Sequence, residues 1–248
     1  MGHEAPDSGG VTDAARAMLI ERHHDIRIEK RTLGHDGAPL LVIDNLVADP
    51  ERLVRRAARR AFGRMGEYFP GARTAAPATY GPFLESVLSP LLLEHFGIRP
   101  GRFRFPMCHY SLVATPPAEL RFLQRVPHID SVDGNGLATV HYLFHGDWGG
   151  TAFYRHRQTG FEHVDKPRWE TYFRRLETES RGSDAPGPGY INGNTALFEQ
   201  IAKADAVFNR MVVYRRNSLH SACVDDRHVP PPDPLDGRLS INTFIDVV

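Results

Sequence analysis

A chain of 248 residues with 41% hydrophobic content is long enough to bury a sizeable core without disulfide or metal staples. Thirty basic residues balance thirty acidic ones and no strong basic block stands out, which argues against a general nucleic-acid binder. Two cysteines, Cys108 and Cys223, exclude a disulfide framework; with no apolar N-terminal core and no apolar run near ~18 residues, the expectation is a cytoplasmic protein without leader or membrane span.

Residues 1–15, rich in Gly, Asp and Ala, read as a flexible tail ahead of a single domain over 16–248. Ile26 and Ile28 alternate with charged neighbours, and Leu40 to Ile43 form a short apolar run; both read as strands. Asp49-Pro50 opens a helix, with Leu53, Val54, Ala57, Ala58 and Ala61 on its inward face. Phe69-Pro70-Gly71 is a turn. A second helix is expected from Pro82 to His95, with Phe83, Val87, Leu88, Leu91 and Leu92 inward and Gly97 as its stop.

From Phe103 the texture changes. Short segments rich in Val, Tyr, Phe, Thr and Ile recur at Phe103–Val113, Gly136–Phe144, Thr151–His156, Met211–Arg215 and Arg238–Val247. Gly, Pro, Asp and Asn separate them, so the pattern reads as an all-β sandwich or barrel. Residues 165–208 interrupt it. They predict a helix around Trp169, Tyr172, Phe173 and Leu176, a flexible linker from Gly182 to Gly189, and a second helix over Ala196–Ala206. An insertion of this length reads as a mobile cover over a site or as an excursion packed on a sheet.

The chemistry gathers in three places. In Pro127-His128-Ile129-Asp130, residues i and i+2 of an extended segment point the same way, so His128 and Asp130 are placed to share an ion. A second imidazole follows at His220. Two histidines and one carboxylate leave three positions open on an octahedral iron(II) ion. The H-x-D spacing alone is weak, since 13 histidines make chance matches common. Arg238 and Ser240, in Gly237-Arg238-Leu239-Ser240-Ile241-Asn242, raise its weight. On a strand they share a face and offer a guanidinium fork and a hydroxyl to a carboxylate. The plainer reading of Arg238 is an edge arginine paired to an aspartate such as Asp236.

The order H-x-D, strand, Trp148-Gly149-Gly150-Thr151-Ala152-Phe153, distal His, Arg-x-Ser resembles the iron(II)/2-oxoglutarate-dependent dioxygenases, nearest to the prolyl-hydroxylase-like branch. The resemblance covers roughly residues 103–248. It implies a mainly β fold with flanking helices: a double-stranded β-helix (jelly-roll) core over about 103–248, N-terminal supporting helices, and the helical insertion at about 165–208. It implies an oxygenase that consumes dioxygen and 2-oxoglutarate at iron(II), acting on an amino acid, a peptide or protein side chain, or a natural-product intermediate. By the same resemblance His128, Asp130 and His220 match the metal ligands, and Arg238 with Ser240 the clamp on the distal carboxylate of 2-oxoglutarate. Tyr110 and Tyr142 match tyrosines near the cosubstrate, though each equally suits a core aromatic. A carboxylate ligand, which halogenating relatives lack, points to hydroxylation or desaturation. The Pro-rich stretch from Asp225 to Asp236 makes the gap between His220 and Arg238 longer than the family usually shows.

Two other classes stay in view. One is a cupin-like metalloenzyme that does not use 2-oxoglutarate; the other is a non-enzymatic β-helix module. His109, His145, His156 and His163 lie on or beside strands as packing or surface residues, some of them lining the pocket. No G-x-S-x-G elbow occurs, which argues against a serine hydrolase.

Overall fold

The computed structural model describes residues 19–248, so the tail expected over 1–15 lies outside the described residues. Strands β1 (Arg27–Leu33) and β2 (Ala38–Asp44) pair antiparallel, Arg27 opposite Asp44 and Leu33 opposite Ala38. In β2, Leu41 and Ile43 face one way and Leu40 and Val42 the other; all four are buried, so protein covers both faces. Asp49 then accepts a hydrogen bond from the Arg52 amide at 2.9 Å, and Pro50 starts α1 (Pro50–Ala57). The expected inward face was longer than this helix. Ala58 and Ala61 are exposed, because the amides of Arg59 and Arg60 turn back to the carbonyls of Arg56 and Ala57 and close it.

The turn at Phe69-Pro70-Gly71 leads into a strand the sequence did not announce, β3 (Gly71–Ala75). The single helix expected over Pro82–His95 is instead α2 (Tyr80–Leu88), a 3-10 turn at Ser89–Leu91, and α3 (Leu92–Phe96) ended by Gly97 at φ 65. Pro90 causes the break, having no amide hydrogen to donate and a ring that crowds the preceding turn.

The β segments follow at β4 (Phe103–Val113), β5 (Leu137–Tyr142) and β6 (Thr151–His156). After them comes α4 (Lys166–Glu179), capped by the Asp165 carboxylate on the Arg168 amide at 3.1 Å. Where a second helix was expected over Ala196–Ala206, the chain forms β7 (Phe198–Ala204). Its Ala, Glu, Gln and Lys content suits a helix locally. The open edge of β6 decides otherwise, with His156 opposite Phe198 and Thr151 opposite Ala204. β8 (Met211–Arg215), β9 (His220–Ala222) and β10 (Arg238–Val247) complete the order.

These strands make two antiparallel sheets. The larger runs β1-β2-β8-β5-β10-β4-β3 and the smaller β7-β6-β9. The outer face of the larger sheet, with Leu112, Met211, Val213, Leu239 and Ile241, packs on Leu53, Leu84, Leu88 and Leu92 of the helices. Each such fully buried side chain contributes about 1.5–3 kcal/mol. The inner face, with Val140, Tyr142, Val212 and Tyr214, meets Phe153 and Ala204 of the smaller sheet. The space between the two inner faces holds the site.

Helix α4 lies behind the smaller sheet, not over that space. Tyr172 and Leu176, one turn apart, bury against Tyr154, Phe198 and Leu219 on the sheet's far side. Of the two readings of 165–208, the packing of α4 and the pairing of β7 match the excursion packed on a sheet. The linker between them is tied down too: the Tyr190 hydroxyl donates to the Thr115 carbonyl at 2.8 Å, and its amide to Asp226 at 2.8 Å. No helix among the described residues is long and apolar enough to cross a membrane.

Candidate metal centre

The segment Pro127–Asp130 is extended because it pairs with the strand carrying His220. The His128 amide donates to the His220 carbonyl at 2.9 Å, the His220 amide to the His128 carbonyl at 3.0 Å, and the Asp130 amide to the Arg216 carbonyl at 2.8 Å. His128 and Asp130 thus point one way, and Ile129 packs the other way on the cluster behind the smaller sheet. His220 stands opposite Phe153 on the inner face.

The three ligand-bearing side chains converge. The His220 Nε2 is 3.5 Å from one Asp130 oxygen and the His128 Nε2 is 3.8 Å from the other. One ligand atom from each residue lies within 4.8 Å of the others, and this is the one such group among the described residues. Two donors at right angles on an ion with ~2.1 Å bonds stand roughly 3 Å apart, so small side-chain shifts would close the set on a metal. The His220 Nδ1–H donates to the Ser218 carbonyl at 2.9 Å, which leaves the Nε2 lone pair aimed at the centre. Burial, then His220, then Arg73, hold the His128 imidazole well below the usual histidine range, so it is a neutral donor. Burial raises the Asp130 carboxyl while His220, Arg73 and Arg216 pull it down. His128 is half exposed by area yet enclosed enough to lose much of its solvation, the combination expected on the wall of a cleft. Lone pairs meeting without a hydrogen bond between them repel, and a cation relieves that repulsion. The donor set fits an octahedral ion with open positions.

Arg238 projects into the same space. Its guanidinium is buried and bound only by carbonyls: Nε donates to Trp148 and Gly149 at 3.2 and 3.1 Å, and Nη2 to Gly150 at 2.8 Å. The rings of Tyr142 and Phe144 flank it, 5.8 and 5.7 Å from its central carbon. A Cβ on Gly149, at φ +73, would stand 1.6 Å from the Cys223 carbonyl oxygen, and one on Gly150 would stand 1.9 Å from that of Ala204. Glycine alone lets this loop lie close enough to turn its carbonyls on the arginine. No carboxylate among the described residues is within 4.0 Å of Arg238, and Asp236 instead accepts the Trp148 indole through its backbone. Burial pulls the guanidinium down from its usual range. A buried cation without an anion costs several kcal/mol, which an incoming carboxylate would offset.

The remaining expected positions divide. Ser240 shares the inner face with Arg238, but its hydroxyl donates to Asn242 Oδ1 at 2.7 Å. The Tyr142 hydroxyl is 2.7 Å from Thr151 Oγ1, beside Arg238. Tyr110 requires a correction: it points to the outer face, where its hydroxyl donates to the Leu53 carbonyl at 3.0 Å. Strand alternation decides this, because its neighbours His109 and Ser111 take the inner face. Two residues near the ligands were not singled out. Tyr214 packs its ring 4.7 Å from His220, and Arg73 on β3 bears on the charge of both Asp130 and His128. Neither lies in a motif, and Arg73 sits on a strand too short and too rich in small residues to read from sequence.

Residues 24–245 match the DUF6445 model, a family of unknown function. The chain belongs to that family. A comparison with curated proteins finds no match for this DUF6445 chain. Among solved structures it is similar to HygX from Streptomyces hygroscopicus with nickel and 2-oxoglutarate bound, at TM-score 0.48 and 9% identity, over 86% of this chain and 84% of that one. It is similar to the non-heme alpha ketoglutarate dependent epimerase SnoN from nogalamycin biosynthesis, at 0.45 and 13%, over 84% and 77%. The carbocyclase SnoK of the same biosynthesis gives 0.43 and 12%, over 83% and 78%.

Proposed function

We propose that this chain is a non-haem iron(II) oxygenase that uses 2-oxoglutarate, built on a double-stranded β-helix of the prolyl-hydroxylase-like kind. The observation that carries the reading is a pairing between the two inner faces: three convergent metal donors at the smaller sheet, and on the larger sheet a buried guanidinium that has no anion of its own. His128, Asp130 and His220 would hold one side of the ion, leaving its other side to ligands. Arg238, between Tyr142 and Phe144, would take the distal carboxylate of the cosubstrate, with Ser240 beside it. Held by these residues, iron(II) with 2-oxoglutarate would supply the chemistry of dioxygen activation, in which 2-oxoglutarate is converted to succinate and carbon dioxide and a substrate C–H bond is oxidised.

The chain's own part is geometry and exclusion of water. The Ser218 carbonyl fixes the His220 tautomer. The backbone of 148–150 fixes the guanidinium before any ligand arrives, so little ordering is lost on binding. Phe153 and Tyr214 set their rings against His220, and Tyr142 sets its ring against Arg238. The ligand carboxylate of Asp130 leaves no place for a halide, so hydroxylation or desaturation is the outcome expected. The substrate class is an amino acid, a peptide or protein side chain, or a natural-product intermediate. Both cysteines stand as free thiols, in keeping with a cytoplasmic setting.

Calorimetric titration of 2-oxoglutarate into metal-loaded wild type and Arg238→Gln tests this. The variant is expected to lose on the order of 2–5 kcal/mol of cosubstrate affinity while keeping its metal. Metal binding with no uptake of 2-oxoglutarate by the wild type would favour a cupin-like enzyme, and binding of neither would favour the non-enzymatic module.

A further inference from the structure

A second guanidinium bears on the same site from β3, the edge strand of the larger sheet, two strands from β10. Arg73 stands opposite Ser111, Ser111 opposite Ser240, and Ser240 opposite Tyr142. Residues that oppose one another across neighbouring strands share a face, so these four side chains form a polar row across the inner surface. Arg73 and Ser240 are two strands apart, roughly 10 Å, so Arg73 and Arg238 reach the site from different strands of one face.

Arg73 is held in place. Its guanidinium stacks on the Phe69 ring at 3.8 Å and its Nε donates to Ser111 Oγ at 3.3 Å. Both backbone groups of Arg73 are tied to Gly63, at 2.8 and 3.0 Å. Among the described residues its Nη groups make no hydrogen bond and no carboxylate lies within 4.0 Å. Burial pulls it down to about 10, with Asp130 the one acidic group acting against that. His109, next along β4 on the same face, has a buried Nδ1 without a partner.

The charges around this site do not close. Asp130 supplies one negative charge against Arg73 and Arg238, and a histidine that binds a metal does so as a neutral donor. A divalent ion adds two positive charges and 2-oxoglutarate removes two, which leaves the loaded site with one excess positive charge. That excess sits on Arg73, beside the candidate metal ligands, with its fork free.

We infer that Arg73 receives the carboxylate of the primary substrate, which is therefore a carboxylic acid and not a neutral or cationic compound. Ser111 and Phe69 orient the guanidinium, and His109 Nδ1 offers a further polar contact. This inference rests on the proposed function for the identity of the other anion.

The test uses the full chain loaded with manganese(II) and saturating 2-oxoglutarate, with acetate as the probe. Proton relaxation of the acetate methyl group reports binding near the paramagnetic ion, and methylammonium is the control of opposite charge. Wild type is expected to enhance acetate relaxation and leave methylammonium unaffected. Arg73→Gln is expected to weaken acetate roughly tenfold to hundredfold, the worth of a hydrogen bond to a charged group. Its affinities for manganese and for 2-oxoglutarate should stay at wild-type values. Arg73→Lys, which keeps the charge and loses the fork, should fall between, and it carries the test if the glutamine variant does not fold. Equal relaxation in wild type and variant, or none in wild type, overturns the inference. So does a parallel loss of 2-oxoglutarate affinity in Arg73→Gln, which would assign the residue to the cosubstrate. Failure of the parent reading looks different: wild type then takes up no 2-oxoglutarate, while acetate with manganese alone still reads Arg73.

Discussion

The candidate metal ligands differ in how firmly the protein holds them. His220 is buried and its Nδ1 is fixed by Ser218, whereas His128 is half exposed and Asp130 rests on one backbone bond to Arg216. Replacing any of the three by alanine is expected to lower iron(II) or cobalt(II) affinity by tenfold or more, of the order seen when even outer partners of a metal site are lost. Equilibrium dialysis checks this, with His145→Ala, an exposed histidine away from the cluster, as the control expected to bind normally. His128 and Asp130 were legible as a candidate pair because H-x-D on an extended segment needs only local geometry, whereas His220 joined them only through the order of motifs along the chain. Arg238 was legible as a residue, but the carbonyls of 148–150 that hold it were not, since nothing local links residues so far apart in the chain. Arg73 was illegible for the same reason: its meaning comes from pairing with β4. Tyr110 shows the converse. Its place ahead of the H-x-D motif suggested the pocket, and the two-residue period of β4 turned it to the helices.

Among the elements, the joint between α2 and the larger sheet carries a titratable group. His141 on β5 is fully buried; its Nδ1 lies 2.9 Å from the Tyr80 hydroxyl and its Nε2 3.1 Å from Asn209 Oδ1. Asn209, at φ 64, also accepts from the Val47 amide at 3.1 Å and donates to its carbonyl at 2.9 Å. Burial lowers His141 to about 4, with the bond to Asn209 opposing. The unfolded chain binds a proton near the ordinary histidine value, so between there and about 4 the unfolded state holds more protons than the folded one. Stability attributable to this group is complete above that window and falls as the pH drops through it, by up to about 3 kcal/mol. Urea denaturation at a series of pH values should show this slope, and His141→Gln should flatten it. An unchanged slope in the variant would assign the acid sensitivity elsewhere. At the same scale, the five apolar segments after Phe103 could be read as strands because their β-branched and aromatic content agrees with their pairing. Phe198–Ala204 could not, because its composition suits a helix and only the edge of β6 makes it a strand.

At the scale of the whole molecule, four layers follow one another: the N-terminal helices, the larger sheet, the smaller sheet and α4. The candidate site lies between the sheets, and α4 is separated from it by the smaller sheet. Hydrogen exchange over 166–179 is therefore expected to be the same in the free and in the metal- and 2-oxoglutarate-loaded protein. Strong protection of that segment on loading would restore the cover that the packing of Tyr172 and Leu176 argues against. Leu176→Ala should destabilise the fold by about 2–5 kcal/mol through the cavity it leaves, without altering metal affinity in the protein that remains folded.

The central claim, that the donors at His128, Asp130 and His220 and the guanidinium of Arg238 form one site for iron(II) and 2-oxoglutarate, is tested most directly under nitrogen. Iron(II) protein is titrated with 2-oxoglutarate and followed in the visible region. A weak metal-to-ligand absorption band should grow to saturation with one equivalent bound. It should be absent in His220→Ala and demand far more 2-oxoglutarate in Arg238→Gln. An iron-loaded wild type that develops no such band at saturating 2-oxoglutarate would contradict the account.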